Sequence, residues 1–121
     1  MSDITCDELE RRLGEEGLVV LDVRTAAEFS GEAGYPCDAR QGHLPGARNV
    51  DLQDLHAAAN TAEIQALVGA PDGSEVVAYC HSGSRSAMAV QVLGAAGYDA
   101  RNYVGSWHEW AADEALQIES P

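Results

Sequence analysis

The chain has 121 residues, 45% of them hydrophobic, and its twenty acidic and seven basic residues give a formal net charge of −13. This length suits one domain with one core, and the apolar content argues against disorder. No apolar stretch approaches the roughly 20 residues of a membrane span, and without lysine or a basic stripe the chain is not expected to bind nucleic acid or an anionic membrane.

The first thirty residues predict a helix, a strand and a second helix. Thr5 and Glu8 have the spacing of a capping box, which opens the first helix. The apolar run 18–23 is typical of a strand buried on both faces of a parallel sheet. Thr25 and Glu28 have the same capping-box spacing and open a short helix.

The middle of the chain is dominated by a long loop insertion. Residues 30–46 are rich in glycine, proline and polar side chains, and a long loop of this kind in a small domain is usually functional. Residues 48–50 predict a short strand. Residues 60–68 predict a helix capped by Asn60, and 71–73 a turn.

The C-terminal half repeats the alternation of strand and helix. Residues 75–79 predict a second buried strand, 87–96 an alanine-rich helix and 101–104 a last short strand. Ser106 and Glu109 have capping-box spacing and open a terminal helix. Strands that alternate with helices predict an α/β fold with a mainly parallel sheet and helices on both faces.

Cys80 stands at the end of the second buried strand, where open α/β sheets bind ligands. The small residues that follow allow a loop whose backbone N–H groups point inward as an anion nest, and Gly83 supplies the freedom for a tight curl. The N-terminus of the next helix and the Arg85 guanidinium add positive charge. Such surroundings favour a thiolate, so we predict a nucleophilic Cys80; the alternative is a small buried hydrophobic side chain.

Four segments in chain order resemble the rhodanese-like sulfurtransferase domain: 21–29, 42–50, 79–86 and 102–110. The last is similar to the catalytic C-terminal half of tandem-domain thiosulfate and 3-mercaptopyruvate sulfurtransferases. The resemblance covers about 4–118. It implies a single domain across 1–121 with a mainly parallel, five-stranded sheet.

The resemblance also implies a reaction. The Cys80 thiolate would attack the outer sulfur of a small anionic donor such as thiosulfate and hold that sulfur as a persulfide. A thiol, cyanide or a protein would accept the sulfur, and neither a metal nor an organic cofactor is expected. The donor would be bound by the loop residues His81, Ser82, Gly83, Ser84 and Arg85. Because this loop mixes residue types seen in both subfamilies, the choice between thiosulfate and mercaptopyruvate stays open.

Three other functions are compatible with parts of this pattern. A non-catalytic rhodanese-like interaction module is disfavoured by the presence of Cys80 and of the whole loop up to Arg85. A dedicated persulfide carrier would use the same residues. A cysteine phosphatase or arsenate reductase is disfavoured because those enzymes space the two residues as Cys-x5-Arg, whereas here four residues intervene.

Several further residues have expected supporting roles. Asp22 and Arg24 are expected to form an ion pair near the base of the loop. Trp107 is expected to pack in the last helix, with a position at the mouth of the pocket as the alternative. Glu28 occupies a position where some tandem enzymes carry a donor-binding arginine. His43 is expected to be a structural histidine bonded to nearby backbone.

The cysteines bear on the compartment. Cys6, Cys37 and Cys80 are an odd number at wide spacing without a C-x-x-C pair, which is typical of reduced thiols in the cytoplasm. Residues 1–5 have neither a basic nor an apolar leader region, so no signal peptide is predicted. A disulfide or a persulfide relay between Cys37 and Cys80 is a further hypothesis.

Overall fold

Four parallel strands form the central sheet of the computed structural model, which describes residues 3–120. The sheet has the order β2-β1-β3-β4. Its strands are β1 (Leu18–Asp22), β2 (Arg48–Asn49), β3 (Glu75–Tyr79) and β4 (Asp99–Asn102). Residues 1, 2 and 121 lie outside the described residues. The predicted domain across 1–121 includes all three of them, and the prediction that there is no signal peptide includes the first two.

Among residues 3–120, six helices precede, connect or follow these strands. They are α1 (Cys6–Arg12), α2 (Ala26–Ser30), α3 (Leu52–Ala57), α4 (Thr61–Val68), α5 (Ser84–Ala95) and α6 (Ser106–Ala112). Within the described part of the chain, no helix is long and apolar enough to cross a membrane.

Helices cover both faces of the sheet, as predicted. Side chains alternate along β3, so that Val76 and Ala78 point into one core cluster while Val77 and Tyr79 point into the other. The first cluster contains buried residues of α3, α4 and α5, and the second contains buried residues of α1 and α6. Strands buried on both faces explain why the sequence shows continuous apolar runs there.

The prediction of a fifth strand is wrong for residues 3–120. Beside β4, Asp3 forms a single parallel bridge with Asn102, and the Ile4 N–H donates to the Asn102 carbonyl at 3.1 Å. Thr5 already caps α1 by accepting a hydrogen bond from the Glu8 N–H. The chain therefore leaves the sheet edge for a helix before a ladder can extend.

The three predicted capping boxes have three different outcomes in the structure. The capping box of Thr25 and Glu28 is complete. The box predicted at Ser106 is wrong: Gly105 is the N-cap, and Ser106 is buried with a φ of 55°. At α1 the cap is only half formed, because the Glu8 carboxylate binds Arg12 and Arg101 instead of reaching back.

Helix α3 was not predicted, although its signals are visible in the sequence. Asp51 caps it by accepting a hydrogen bond from the Gln53 N–H at 2.9 Å. Leu52 and Leu55, three residues apart, are both buried in the first cluster. Such i, i+3 spacing over less than two turns is too short to be recognised from sequence alone.

Candidate functional site

The Cys80 thiol lies in a cradle of backbone N–H groups at the carboxyl end of β3. Cys80 is only 1% exposed. The N–H of Gly83 lies 3.1 Å from Cys80 Sγ, and that of Ser86 lies 3.4 Å from it. Gly83 has a φ of 100°, and a Cβ there would lie 2.7 Å from the Val104 carbonyl oxygen. The curl that aims these donors at sulfur therefore requires glycine.

The cradle stabilises the charged form of the thiol. Burial raises the pKa of Cys80, but hydrogen bonds from Ser86, Gly83 and Ser82 outweigh burial and leave the pKa below its ordinary value. Helix α5, twelve residues long, begins at Ser84, so its N-terminal dipole favours negative charge at the same point. The predicted anion nest is present, and it can hold a thiolate.

A buried polar network, which the sequence did not predict, lies behind the loop. Ser86 Oγ lies 2.7 Å from Asn102 Oδ1 and 3.4 Å from Cys80 Sγ. The Asn102 amide donates to the Gly83 carbonyl at 3.3 Å. These contacts tie the curled loop to β4 and hold its N–H groups on the sulfur. Ser86 and Asn102 both stand within segments that resemble the family, 79–86 and 102–110, but nothing in either segment predicts that the two side chains meet beside Cys80.

The backbone of Cys80 is held from the other side by α6. Its N–H donates to Ser106 Oγ at 3.1 Å, and its carbonyl accepts from the Trp107 N–H at 2.9 Å. Ser106 also donates to the Tyr103 carbonyl at 2.8 Å. The positive φ of Ser106 is uncommon for a residue other than glycine. A constrained turn at the end of β4 thus holds the backbone of Cys80 in place.

Arg85 is engaged by an acidic partner. Its guanidinium makes a two-point ion pair with the Glu28 carboxylate at 2.8 and 3.1 Å. Burial disfavours the Glu28 carboxylate, but Arg85 and the Thr25 hydrogen bonds outweigh burial and lower the pKa of Glu28 to about 2. The positive charge expected from Arg85 in the cradle is therefore largely compensated. Glu28 also lines a cavity of about 160 Å³ together with Gly34 and Tyr35.

The predicted ion pair of Asp22 and Arg24 is present and fully enclosed. Arg24 Nη2 donates to Asp22 Oδ2 and to the Gly42 carbonyl, both at 2.6 Å. The guanidinium also lies 5.0 Å from the centroid of the Trp107 ring. Arg24 is 1% exposed and Trp107 is 0% exposed, so both side chains lie in the core. The alternative position of Trp107 at the pocket mouth is wrong.

The loop 30–46 packs against the cradle through an aromatic and acidic contact. The Tyr35 ring stacks on His81 with 3.8 Å between centroids. Asp38 Oδ1 lies 3.1 Å from His81 Nε2 and 2.8 Å from His108 Nδ1. Arg40 donates to carbonyls at the end of α6, including that of Ala111 at 3.1 Å. The insertion is therefore an ordered wall of the site.

The remaining predicted residues divide into engaged and exposed positions. Ser82 and Ser84 have exposed side chains beside the cradle, where a bound anion would be accessible to them. His43 Nδ1 lies 2.8 Å from the Phe29 carbonyl, which confirms its structural role. Cys37 and Cys80 are free thiols, so no disulfide joins them.

Known proteins resemble this chain in sequence and in fold. The family model of the rhodanese-like domain matches residues 5–113. A thiosulfate sulfurtransferase of Corynebacterium glutamicum is 36% identical over 86% of the chain, and a probable 3-mercaptopyruvate sulfurtransferase of Pseudomonas aeruginosa is 35% identical over 87% of it. The chain spans 39% and 40% of the lengths of these two proteins. A crystal structure of a probable thiosulfate sulfurtransferase is 40% identical, with a TM-score of 0.81 over 97% of this chain and 47% of that one.

Proposed function

Because the chain belongs to the rhodanese-like domain family, we propose that it is a sulfurtransferase that carries a sulfane sulfur on Cys80. The observation that carries this proposal is the convergence of the Gly83 and Ser86 N–H groups on Cys80 Sγ. A lowered thiol pKa and fixed N–H donors suit a nucleophile that becomes an anionic persulfide.

The proposed reaction has two displacement steps. The Cys80 thiolate attacks the outer sulfur of thiosulfate, the S–S bond of the donor breaks, and sulfite leaves with the bonding electron pair. With 3-mercaptopyruvate the C–S bond breaks instead, and the enolate of pyruvate leaves and takes up a proton. A thiol, cyanide or a protein thiolate then attacks the outer persulfide sulfur and releases the Cys80 thiolate. The N–H donors around Cys80 offset negative charge throughout.

Sulfur loading tests this function directly. Reduced protein is incubated with thiosulfate or with 3-mercaptopyruvate, and its intact mass is measured before and after cyanide is added. We expect a gain of one sulfur atom, located on the peptide that contains Cys80 and removed by cyanide. A folded protein with a free Cys80 that gains no sulfur from either donor would contradict the proposal.

The ion pair between Arg85 and Glu28 is expected to weaken donor binding, because it compensates the positive charge of Arg85. In Glu28→Gln the charge of Arg85 is freed, while the glutamine oxygen can still accept from the Thr25 N–H. We expect the KM for the donor that loads Cys80 to fall about fivefold, equivalent to roughly 1 kcal/mol. Steady-state kinetics with cyanide as acceptor measure this change.

The matched control for that prediction is Glu32→Gln. Glu32 is exposed in the loop that follows α2, so its replacement changes the net charge equally without removing the partner of Arg85. A KM that shifts by the same factor in both variants would show that the ion pair has no specific effect on donor binding.

A further inference from the structure

A second cluster of reactive side chains lies at the rim of the cradle. Four residues each offer one ligand atom, and these atoms all lie within 4.8 Å of one another: Cys37, Asp38, His81 and His108. They come from three segments of the chain, namely the loop 30–46, the loop 80–83 that follows β3 (the cradle loop), and α6. Because no two of these segments are adjacent in sequence, no metal-ligand spacing is visible along the chain.

The distances within this cluster approach those of a tetrahedral metal centre. Asp38 Oδ1 lies 3.1 Å from His81 Nε2, 2.8 Å from His108 Nδ1 and 4.0 Å from Cys37 Sγ. With Zn–N and Zn–O bonds of about 2.0–2.2 Å and Zn–S bonds of about 2.3 Å, neighbouring ligands of a tetrahedral zinc lie about 3.3–3.6 Å apart. Shifts of less than 1 Å would therefore bring the four atoms into position.

The Asp38 carboxylate supplies an independent sign of a missing ligand. Its side chain is 1% exposed, yet its Oδ2 atom has no hydrogen-bond partner among residues 3–120. Both imidazoles are directed to the other oxygen, Oδ1. The Asp38 carboxylate is therefore buried with only one of its two oxygens engaged, and a cation bound to Oδ1 at the cluster would compensate its charge.

We propose that Cys37, Asp38, His81 and His108 form a binding site for one zinc ion. Two imidazole nitrogens, a thiolate and a carboxylate are the ligands preferred by zinc, whereas magnesium and calcium require sites made almost wholly of oxygen. This assignment goes beyond the proposed sulfur transfer and does not depend on it.

The proton and charge balance of binding is simple. The Cys37 thiol loses its proton to solvent as the S–Zn bond forms. A neutral imidazole ligates through one ring nitrogen and keeps its proton on the other, so His81 would carry it on Nδ1 and His108 on Nε2. The thiolate and the Asp38 carboxylate together neutralise the two positive charges of the ion.

An ion can reach the site from solvent and would join separate segments. Cys37 is exposed and the His108 side chain is 54% exposed, so the outer side of the cluster is open. Once bound, the metal would tie the insertion and α6 to the cradle loop through His81. The unfolded chain does not hold these four ligands together, so the metal binds the folded protein preferentially. Binding is therefore expected to raise the thermal unfolding midpoint by several degrees.

Metal titration tests the site without reference to activity. Metal-free Cys80→Ser protein, in which the neighbouring Cys80 thiol is absent, is titrated with Zn²⁺ against a chromophoric chelator and with Co²⁺ by absorption spectroscopy. We expect one equivalent of each metal to bind, with tetrahedral d–d bands and a thiolate-to-cobalt charge-transfer band for Co²⁺. Mg²⁺ is expected not to compete. Wild-type protein should bind at the same site.

Three variants in the same background locate the ligands. Cys37→Ser is expected to lose the charge-transfer band, and His108→Ala to weaken zinc binding by more than about tenfold. His56→Ala, which removes an exposed histidine on α3, is expected to bind zinc as the parent does. If no stoichiometric metal binds, or if binding is unchanged in Cys37→Ser and His108→Ala, the cluster is a hydrogen-bonded His–Asp–His contact only. Either result is independent of whether Cys80 accepts sulfur.

Discussion

The Cys80→Ser variant is expected to lose sulfur loading completely while it remains folded. A serine hydroxyl can accept the same hydrogen bonds from the N–H groups of Gly83 and Ser86, so the loop should keep its curl. The hydroxyl is not ionised at neutral pH and does not form a persulfide with the donor. Intact mass after donor treatment and turnover with cyanide measure the loss, and thermal unfolding confirms the fold.

The matched control is Cys6→Ser in α1. Burial raises the pKa of the Cys6 thiol, in contrast to the lowered pKa of Cys80, so Cys6 is a poor nucleophile at neutral pH. We expect Cys6→Ser to be loaded like the wild type. Retained loading in Cys80→Ser together with its loss in Cys6→Ser would assign the chemistry to the wrong cysteine and overturn the proposed site.

Replacing Arg24 with alanine is expected to lower the free energy of unfolding by about 3–5 kcal/mol. The change leaves the Asp22 carboxylate, which is 0% exposed, without its counter-charge, and it leaves the Gly42 carbonyl without its donor. It also removes the cation that lies over the Trp107 ring. Urea denaturation, with the slope checked for two-state behaviour, measures the effect.

Two further variants make the result specific to the buried pair. Arg11 is exposed on α1, and Arg11→Ala should change the free energy of unfolding by less than about 0.5 kcal/mol. Replacing both partners, as in Asp22→Asn with Arg24→Met, should restore much of the stability because no buried charge remains. Equal destabilisation in Arg24→Ala and Arg11→Ala would contradict the buried ion pair.

The cradle around Cys80 could be predicted from the sequence because it is built from consecutive residues. A buried strand, then Cys80, then a glycine-containing loop and a helix start place the backbone donors around one sulfur by local geometry alone. The same holds for the capping box of Thr25 and Glu28, which lies within one turn. Alternation of short apolar strands with helices likewise predicted the parallel sheet with helices on both faces.

What only the tertiary structure decided is which distant side chains meet this local framework. Glu28 pairs with Arg85 across 57 positions, and Asp38 meets His108 across 70. Residues so far apart contact one another only after β1, β3 and β4 have aligned their carboxyl ends, and a carboxylate on the surface looks the same in sequence as one in a buried pair.

The number of strands in the sheet also depends on contacts between residues that are distant in sequence. Whether Asp3 and Ile4 extend a fifth strand depends on competition between pairing with Asn102 and the cap that Thr5 provides for α1, and in this fold the helix prevails. The sequence thus determined the fold class and the backbone cradle around Cys80 through contacts between near neighbours. The packed chain determined the charge that Arg85 presents and the Cys37–Asp38–His81–His108 cluster, because those depend on contacts between segments.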